Sequence, residues 1–582
     1  MSPRRPSRRS RVAALLFFVA ATSVACSLPA AAAPLGAAAP LDEVEPTSAN
    51  ASAADSEPRI VGLYPNPTTA ENRGEYLVVS LPERGNWSLS DGYYDAGIPA
   101  NASGTVTLST APNRTASILA GDSGTAAAVA DRRQIRRLTD YFPLSASGDR
   151  IELRRNGTAV DVVSYDRARE GYRWRASWGE WRPRGYDPRS PESTADAAVR
   201  PFVLPDSPGV PVDPLRSADE RLFVAGYTLT SERVVEALVA AADRGVRVRV
   251  LLEGSPVGGF PARSAALIDR LTAAGVEVRI LDGEVERFRF HHPKYAVADD
   301  RAVVLTENWK PSGTGGHSNR GWGVVVGAGD GSGGGAGTEG DSADGETDRS
   351  AAVADDLAAL FRADFEARDA RSWRAFRADT EFHGGGRANG SYPTRFDAPA
   401  QPVAANVTVL TAPGNAADRI VARIDAADER VLAVVPRVGG PNDRIVRALR
   451  RAADRGVDVH LLLSDAWYDR EANRNLSKRL ADEPIAVDLA EPRGRFGKVH
   501  AKGLVVDDTA VVGSLNWNPS AETNNREVLI AIEDELVADF YARAYAADWR
   551  GGGIQLPIAF VGGFGVALAG AGAVARREIA FG

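Results

Sequence analysis

The sequence predicts a multidomain protein in which an N-terminal β-sandwich precedes a duplicated α/β unit, whose two lobes are related by a pseudo-twofold, and a C-terminal transmembrane helix. Three observations support this fold class. Short strand-like segments separated by turns run from about residue 59 to 166. The strings ADRGVRVRVLL (242–252) and ADRGVDVHLLL (453–463) are close copies. An uncharged apolar run covers 556–575, and 582 residues exceed one domain of roughly 150 residues several times over.

The composition is globular and excludes several classes of protein. Hydrophobic residues make up 44% of the chain and charged residues 25%, which argues against wholesale disorder and against a polytopic membrane protein. The formal net charge of −7 argues against a protein that coats nucleic acid by charge alone. A single cysteine excludes a disulfide framework and Cys-based zinc modules. Only 5 of the 69 basic residues are lysines, so their positions are informative.

The N-terminus predicts a signal peptide over 1–33. A basic head precedes an apolar run from Val12 to Ala25 and an alanine-rich stretch, which is the order of a secretory signal. Cys26 is either lipidated, as in a lipoprotein, or a plain residue of the signal peptide, because position 23 is serine where such signals usually have leucine. Residues 34–56, rich in Ala, Pro, Ser and acid, predict a linker.

The apolar run over 556–575 predicts a transmembrane helix. Its 20 residues match a hydrocarbon core of about 30 Å, and Arg576-Arg577 follow at once. This arrangement predicts a cell-surface protein, anchored in the membrane with its body outside. The alternative is a buried helix, because five glycines between 562 and 572 weaken the hydropathy. Eight glycosylation sequons agree with export: Asn50, Asn86, Asn101, Asn113, Asn156, Asn389, Asn406 and Asn475.

Residues 57–190 predict the β-sandwich. Segments such as RIVGLYPNP, GEYLVVSL, DRIELRRNG and AVDVVSY are short, rich in β-formers and without helical periodicity. Their order resembles the lamin-tail, immunoglobulin-like domain of exported bacterial and archaeal proteins. That resemblance implies an adaptor, and no chemistry is assigned to this domain.

Two α/β lobes are predicted over 202–380 and 400–550. Each contains a strand, an amphipathic helix that stops at a glycine, and a buried strand, and the copied strings lie 211 positions apart. This is an internal duplication. Between the lobes, residues 327–349 are Gly-rich and acidic, which predicts a flexible surface loop.

A hairpin in each lobe carries the same polar pattern. HHPKYAVADDRAVVLTENW and VHAKGLVVDDTAVVGSLNW both place a lysine two residues after a histidine and an asparagine sixteen residues after it. Because residues i and i+2 of a strand share a face, each histidine projects together with its lysine. The candidate residues are His292, Lys294, Asp299, Thr306 and Asn308 in the first hairpin and His500, Lys502, Asp507, Ser514 and Asn516 in the second.

This set of side chains suits a phosphodiester. A neutral imidazole can attack phosphorus and form a phosphohistidine, and a protonated one can donate to the leaving oxygen. Lysines and asparagines can hold the non-bridging oxygens. No metal-ligand set is evident and no cofactor is predicted. Asp299 and Asp507 are expected to shape the hairpin turns, and His291 to be a flanking surface residue.

The two motifs resemble the signature of the phospholipase D superfamily, His-x-Lys-x4-Asp followed by Gly-Ser-x-Asn. The resemblance covers about 205–550 and both lobes. It implies a two-lobed fold with one active site at the pseudo-twofold, and phosphodiester hydrolysis or transphosphatidylation.

The resemblance also implies a carboxylate that orients a catalytic histidine. In the second lobe Glu527 stands at that place, eleven residues after the motif asparagine, whereas the first lobe has Asn319 at this spacing, or Gly321 if the Asn-Arg pairs are aligned. A carboxylate on Nδ1 fixes the tautomer and raises the pKa of an imidazole. His500 is therefore predicted to be the general acid, held by Glu527, and His292 the nucleophile. The alternative is a partly degenerate first lobe.

The preferred hypothesis is an exported, membrane-anchored phosphodiesterase of phospholipase D type that acts on phospholipid. One alternative is a nuclease of the same superfamily, with a local basic groove that includes Arg493, Arg495 and Lys498. The other alternative is a surface binding protein whose duplicated lobes are catalytically silent.

Overall fold

The structure, a computed structural model, describes residues 47–48, 57–67, 73–121, 134–186, 189–282, 286–327, 343–384, 388–492 and 494–549. The predicted signal peptide, with Cys26, lies outside these residues. The predicted linker over 34–56 also lies outside them, except for Thr47–Ser48, which form a short strand. Export and glycosylation stay predictions.

The N-terminal part of the described chain is a β-sandwich. One sheet has the strand order β1-β9-β8-β4-β5 and the other has the order β11-β10-β2-β3-β6-β7. Inward-facing side chains of both sheets, such as Leu153 and Val79, form one buried core. The elements are β1 (Thr47–Ser48), β2 (Arg59–Tyr64), β3 (Tyr76–Leu81), β4 (Trp87–Ser90), β5 (Asp95–Gly97), β6 (Gly104–Ser109), α1 (Pro112–Gly121), β7 (Ile135–Arg137), β8 (Asp149–Arg155), β9 (Thr158–Tyr165), β10 (Tyr172–Arg175) and β11 (Trp181–Pro183).

The two lobes share one large sheet. Strand β12 (Ser193–Leu204) joins them, because it pairs with the last strand of the first lobe's sheet and with the first strand of the second lobe. The first lobe comprises α2 (Asp213–Arg216), β13 (Arg221–Gly226), α3 (Glu232–Asp243), β14 (Arg247–Glu253), α4 (Ala262–Ala273), β15 (Glu277–Leu281), β16 (Tyr295–Ala298), β17 (Arg301–Leu305), β18 (Asn319–Val326), α5 (Ala343–Phe365), β19 (Ala370–Ser372) and α6 (Trp373–Asp379).

The second lobe has a similar order, although each lobe contains, among the described residues, two short elements that the other lacks. It comprises β20 (Val403–Ala412), α7 (Ala416–Asp425), β21 (Arg430–Val435), α8 (Arg444–Asp454), β22 (Asp458–Ser464), α9 (Arg470–Arg479), β23 (Ala486–Ala490), β24 (Lys498–Val499), β25 (Gly503–Val506), β26 (Thr509–Gly513), α10 (Pro519–Thr523), β27 (Glu527–Glu533) and α11 (Glu535–Asp548). The parallel strands β13-β14-β15 of the first lobe correspond to β21-β22-β23 of the second.

Local sequence signals explain where the duplicated helices begin and end. The Ser231 hydroxyl accepts from the Val234 N–H at the start of α3, and the Asp443 carboxylate accepts from the Ile445 N–H at the start of α8. Past their ends, Gly245 and Gly456 have φ of 93° and 94°, a conformation that glycine adopts at little cost.

Asp299 and Asp507 have the same structural role in the two lobes. Both lie in hairpin turns with positive φ, 55° and 47°. Each carboxylate accepts three backbone N–H bonds, from residues 219–221 in the first lobe and from residues 428–430 in the second. These carboxylates tie the hairpin to the start of a parallel strand, and so shape the turn.

Two mirrored ion-pair clusters hold the lobes together. Asp364 of α5 accepts from Arg526 at 2.7 Å and from Arg287 at 3.0 Å. In the equivalent cluster, which the pseudo-twofold relates to the first, Asp548 of α11 accepts from Arg320 and Arg495. All six side chains are buried. Each aspartate thus joins an arginine of its own lobe to one of the other lobe. Removing one partner of a buried pair is costly, so these clusters fix the segments that lead into both motifs.

Two predicted boundaries and one predicted element need correction. Strand β12 begins at Ser193, before the expected start of the first lobe, and α5 begins at Ala343, inside the predicted loop over 327–349. Among the helices that the structure describes, none combines the length and hydropathy that a bilayer crossing requires, and 556–575 lie outside the described residues. The predicted transmembrane helix is withdrawn, and the fold class becomes a β-sandwich followed by a duplicated α/β unit. The five glycines of that run lower both its mean hydropathy and its helix propensity.

Candidate active site

Each motif is placed by backbone pairing with the opposite lobe. The His292 N–H donates to the Arg526 carbonyl at 3.0 Å, and the Arg526 N–H donates to the Phe290 carbonyl at 2.9 Å. In the mirrored position, β24 pairs with the start of β18, and the His500 N–H donates to the Arg320 carbonyl at 3.0 Å. Both histidines therefore lie at the junction of the lobes.

Each motif histidine is held by a carboxylate from the other lobe. Nδ1 of His292 lies 2.9 Å from a carboxylate oxygen of Glu527, and Nδ1 of His500 lies 3.1 Å from Glu307. Glu527 was predicted to hold His500; that prediction is wrong, because strand pairing sets the start of β27 beside the first motif. The first lobe is not missing its acid either, since Glu307 supplies it.

The sheet register explains why the acid of the first lobe was missed. Leu305 pairs with Gly323, as Gly513 pairs with Leu529, so Gly321 occupies the position equivalent to Glu527. A Cβ on Gly321 would overlap the side chain of Glu307, which fills this space instead. The only sequence signal was Glu307 itself, an acid directly before the motif asparagine Asn308. The second lobe has Leu515 at the equivalent position.

Two amides support the carboxylates. Asn319 donates to Glu307 at 2.9 Å, and its counterpart Asn525 donates to Glu527 at 3.1 Å. Burial opposes ionisation of Glu307, but His500 and Lys502 lower its pKa. The carboxylate therefore remains charged and orients the imidazole.

Each motif lysine interacts electrostatically with the histidines of both lobes. The Lys294 ammonium donates to the His292 carbonyl, and that of Lys502 donates to the His500 carbonyl at 2.7 Å. Each lysine also lowers the pKa of the histidine in the other lobe. Burial lowers the pKa of Lys502 to about 8 and that of Lys294 well below its ordinary value.

Both imidazoles are neutral at neutral pH in the unliganded site. Burial lowers the pKa of His292 and of His500 to about 4, although the glutamate beside each raises it. His292 is the deeper of the two, with 11% of its side chain exposed against 21% for His500. With Nδ1–H directed at the glutamate, Nε2 of each ring carries the lone pair, and that of His500 lies 3.3 Å from the Lys502 ammonium.

The remaining candidates divide into ligand-facing and structural groups. Buried Oδ1 of Asn308 has no partner within the described residues and is available to a ligand. The Thr306 hydroxyl accepts from the Trp322 N–H at 2.9 Å, and that of Ser514 accepts from the Val528 N–H at 3.0 Å, so both tie adjacent strands together. Of the predicted basic groove, Arg495 is buried against Asp548. The described residues contain no group of three or more His, Cys, Asp or Glu side chains suited to a metal ion.

His291 is buried rather than at the surface, which corrects its prediction. It is 1% exposed, its N–H donates to the buried carboxylate of Glu253 at 2.6 Å, and neither ring nitrogen has a partner among the described residues. Burial lowers its pKa to about 3. Its counterpart in the second lobe is the buried Val499.

We expect His291→Val to make the protein less sensitive to acid. The unfolded chain takes up this proton near pH 6.5, whereas the folded chain takes it up only near pH 3, so stability is lost as pH falls through this interval. Between pH 7 and pH 5 the variant should lose about 2 kcal/mol less unfolding free energy than the wild type. Urea unfolding of both proteins at the two pH values measures this difference. Equal losses would contradict the prediction.

Comparison with known proteins identifies relatives of the two lobes. A family model described as "Cardiolipin synthase, PLD-like domain" matches residues 212–326 and 420–549, which include both motifs. A phospholipase D of Rickettsia prowazekii (strain Madrid E) is 29% identical over 135 residues, 23% of this chain and 62% of that protein. Cardiolipin synthase A of Pseudomonas aeruginosa (strain LESB58) is 35% identical over 130 residues, 22% of this chain and 26% of that protein.

The alignments thus cover less than two thirds of either curated relative. Among solved structures, phosphatidylserine synthase of Haemophilus influenzae Rd KW20 has a TM-score of 0.43 and 16% identity, over 61% of this chain and 88% of that one. The sandwich lies outside the residues that the family model matches, so its lamin-tail resemblance stays a prediction.

Proposed function

Because its two lobes belong to the phospholipase D superfamily, we propose that this protein is a phosphodiesterase that cleaves or transfers the phosphodiester of a phospholipid. The observation that carries the proposal is the reciprocal pair of histidine–glutamate contacts across the lobes. The names of the curated relatives, a phospholipase D and a cardiolipin synthase, support a phospholipid substrate. The N-terminal sequence pattern supports export of the body.

In the proposed mechanism, His292 is the nucleophile. Its Nδ1–H is held by the buried Glu527, so Nε2 attacks phosphorus and forms a P–N bond while the bond to the leaving oxygen breaks. His500 donates a proton to that oxygen. The negative charge of the bound diester raises the pKa of His500 from its unliganded value, which makes this proton available.

The second half of the reaction restores the enzyme. His500, now neutral, takes a proton from water or an alcohol, whose oxygen attacks phosphorus and breaks the P–N bond. The ammonium groups of Lys294 and Lys502 and the side-chain NH2 of Asn308 donate to the non-bridging oxygens through both steps. The same residues therefore serve hydrolysis and transfer, and the acceptor decides which occurs.

The test compares lipid with nucleic acid. Purified protein is incubated with phosphatidylglycerol in neutral mixed micelles and with single-stranded DNA, and head-group and nucleotide release are measured at neutral pH. We expect release from the lipid and little from DNA. Faster cleavage of DNA would identify a nuclease instead, and turnover of neither would indicate a catalytically silent binding protein.

A further inference from the structure

The two walls of the site differ in chemistry. Phe290 lies two residues before His292 in the first motif, whereas the equivalent residue of the second motif, two before His500, is Lys498. The Phe290 ring packs edge-on against Tyr227 at 5.9 Å, and the Tyr227 ring lies 4.9 Å from that of His292. The wall beside His292 is therefore aromatic.

The wall beside His500 is cationic. Lys498 donates from Nζ to the Tyr468 hydroxyl at 2.8 Å. Lys310, two residues after Asn308, is half-buried and interacts electrostatically with Lys498 and with Glu307, the partner of His500. The counterpart of Lys310 in the second lobe is Asn518, which caps a helix. Both additional lysines thus belong to one wall.

Nearby groups leave this wall positive. Asp469 interacts electrostatically with Lys498 and Lys502, and also with Arg437. Together with the motif lysines, four of the chain's five lysines, all of them described, lie at this site, although arginine supplies 64 of the 69 basic residues. A compact ammonium can direct its three donors at an anion of variable geometry, which a planar guanidinium cannot.

We propose that Lys310 and Lys498 form an anion subsite for the leaving group, so that the enzyme prefers phospholipids whose head group carries its own carboxylate or phosphomonoester. The inference rests on the proposed function. In an in-line displacement the leaving oxygen lies opposite the nucleophile, so with His292 attacking, the head group lies beside His500 and these lysines. A cationic head group would be repelled there.

Two matched pairs of substrates test the proposal. Phosphatidylserine differs from phosphatidylethanolamine by one carboxylate, and phosphatidylglycerophosphate differs from phosphatidylglycerol by one phosphomonoester. Each lipid is presented at the same low fraction in neutral micelles, and kcat/KM is compared within each pair. The wild type should prefer the anionic member of at least one pair, and the pair that shows the preference identifies the anion.

Variants connect the preference to the two lysines. Lys498→Gln and Lys310→Gln should each lower the anionic-to-partner ratio about tenfold, as expected when a charge-assisted contact is lost. Lys498→Arg should keep most of the ratio. The control is Lys478→Gln at the exposed end of α9, which should leave the ratio unchanged.

The outcomes separate this inference from the proposed function. If the wild type and both glutamine variants turn over lipid with the same anionic-to-partner ratio, the inference alone would be overturned. A fall of this ratio in Lys478→Gln as large as in the other two variants would also overturn it. Absence of head-group release from every lipid by the wild type would overturn the proposed function and this inference with it.

Discussion

His292→Asn should lower kcat for phosphodiester cleavage by about 10⁴-fold or more, because asparagine cannot form the covalent intermediate. The same variant should yield no phosphoenzyme when a reaction in progress is denatured in alkaline detergent, in which the P–N bond survives. Asparagine still reaches the Glu527 carboxylate, so the change removes the nucleophile with little effect on the fold. The measurements are initial rates and mass-spectrometric location of the phosphate, with thermal unfolding as the control.

His500→Asn should behave differently, because it removes the general acid and base but leaves the nucleophile. With p-nitrophenol as leaving group, whose departure needs little protonation, the phosphohistidine on His292 should form and then accumulate, since no base activates water. The two variants together locate the roles. Phosphate recovered on His500 in the wild type, or normal turnover by either variant, would contradict the assignment.

Glu307→Leu should lower kcat by about 10²-fold, the scale on which a positioning carboxylate contributes. Leucine is the residue at the equivalent position of the second lobe, Leu515, so the change fits the hairpin. Without the carboxylate the pKa of His500 falls, because Glu307 raises it in the wild type. The general acid must be protonated, so the alkaline limb of the kcat profile should move to lower pH.

A compensating substitution separates positioning from a structural role. Gly321 stands where the second lobe has Glu527, so Glu307→Leu combined with Gly321→Glu rebuilds the arrangement of the second lobe in the first. The double variant should recover a large part of kcat and the original pH limb. Gly321→Glu alone should be destabilising, because the new side chain overlaps that of Glu307. If the double variant is as stable as Glu307→Leu but has no higher kcat, the result would contradict a positioning role for Glu307.

Predictions from sequence were most accurate where the signal was local. The helix stops at Gly245 and Gly456, the repeat of strand, helix and strand, and the pairing of each histidine with a lysine two residues later all depend on neighbouring residues. The resemblance of both lobes to the superfamily was confirmed by the family model. It could be predicted because the motifs are short and contiguous. The burial of His291 was missed because nothing next to it in the chain shows that the segment pairs with Arg526 of the other lobe and bonds to the buried Glu253.

The sequence by itself therefore determined the chemical groups of the candidate site, two imidazoles and two ammonium groups that suit an anionic substrate, since residue types and strand alternation are properties of the local chain. Only the tertiary structure decided which carboxylate serves which histidine and which wall is cationic. Glu527 and His292 are 235 residues apart, and Glu307 and His500 are 193 apart. Contacts over such separations depend on which strands of the two lobes pair, and on the space that Gly321 leaves for Glu307.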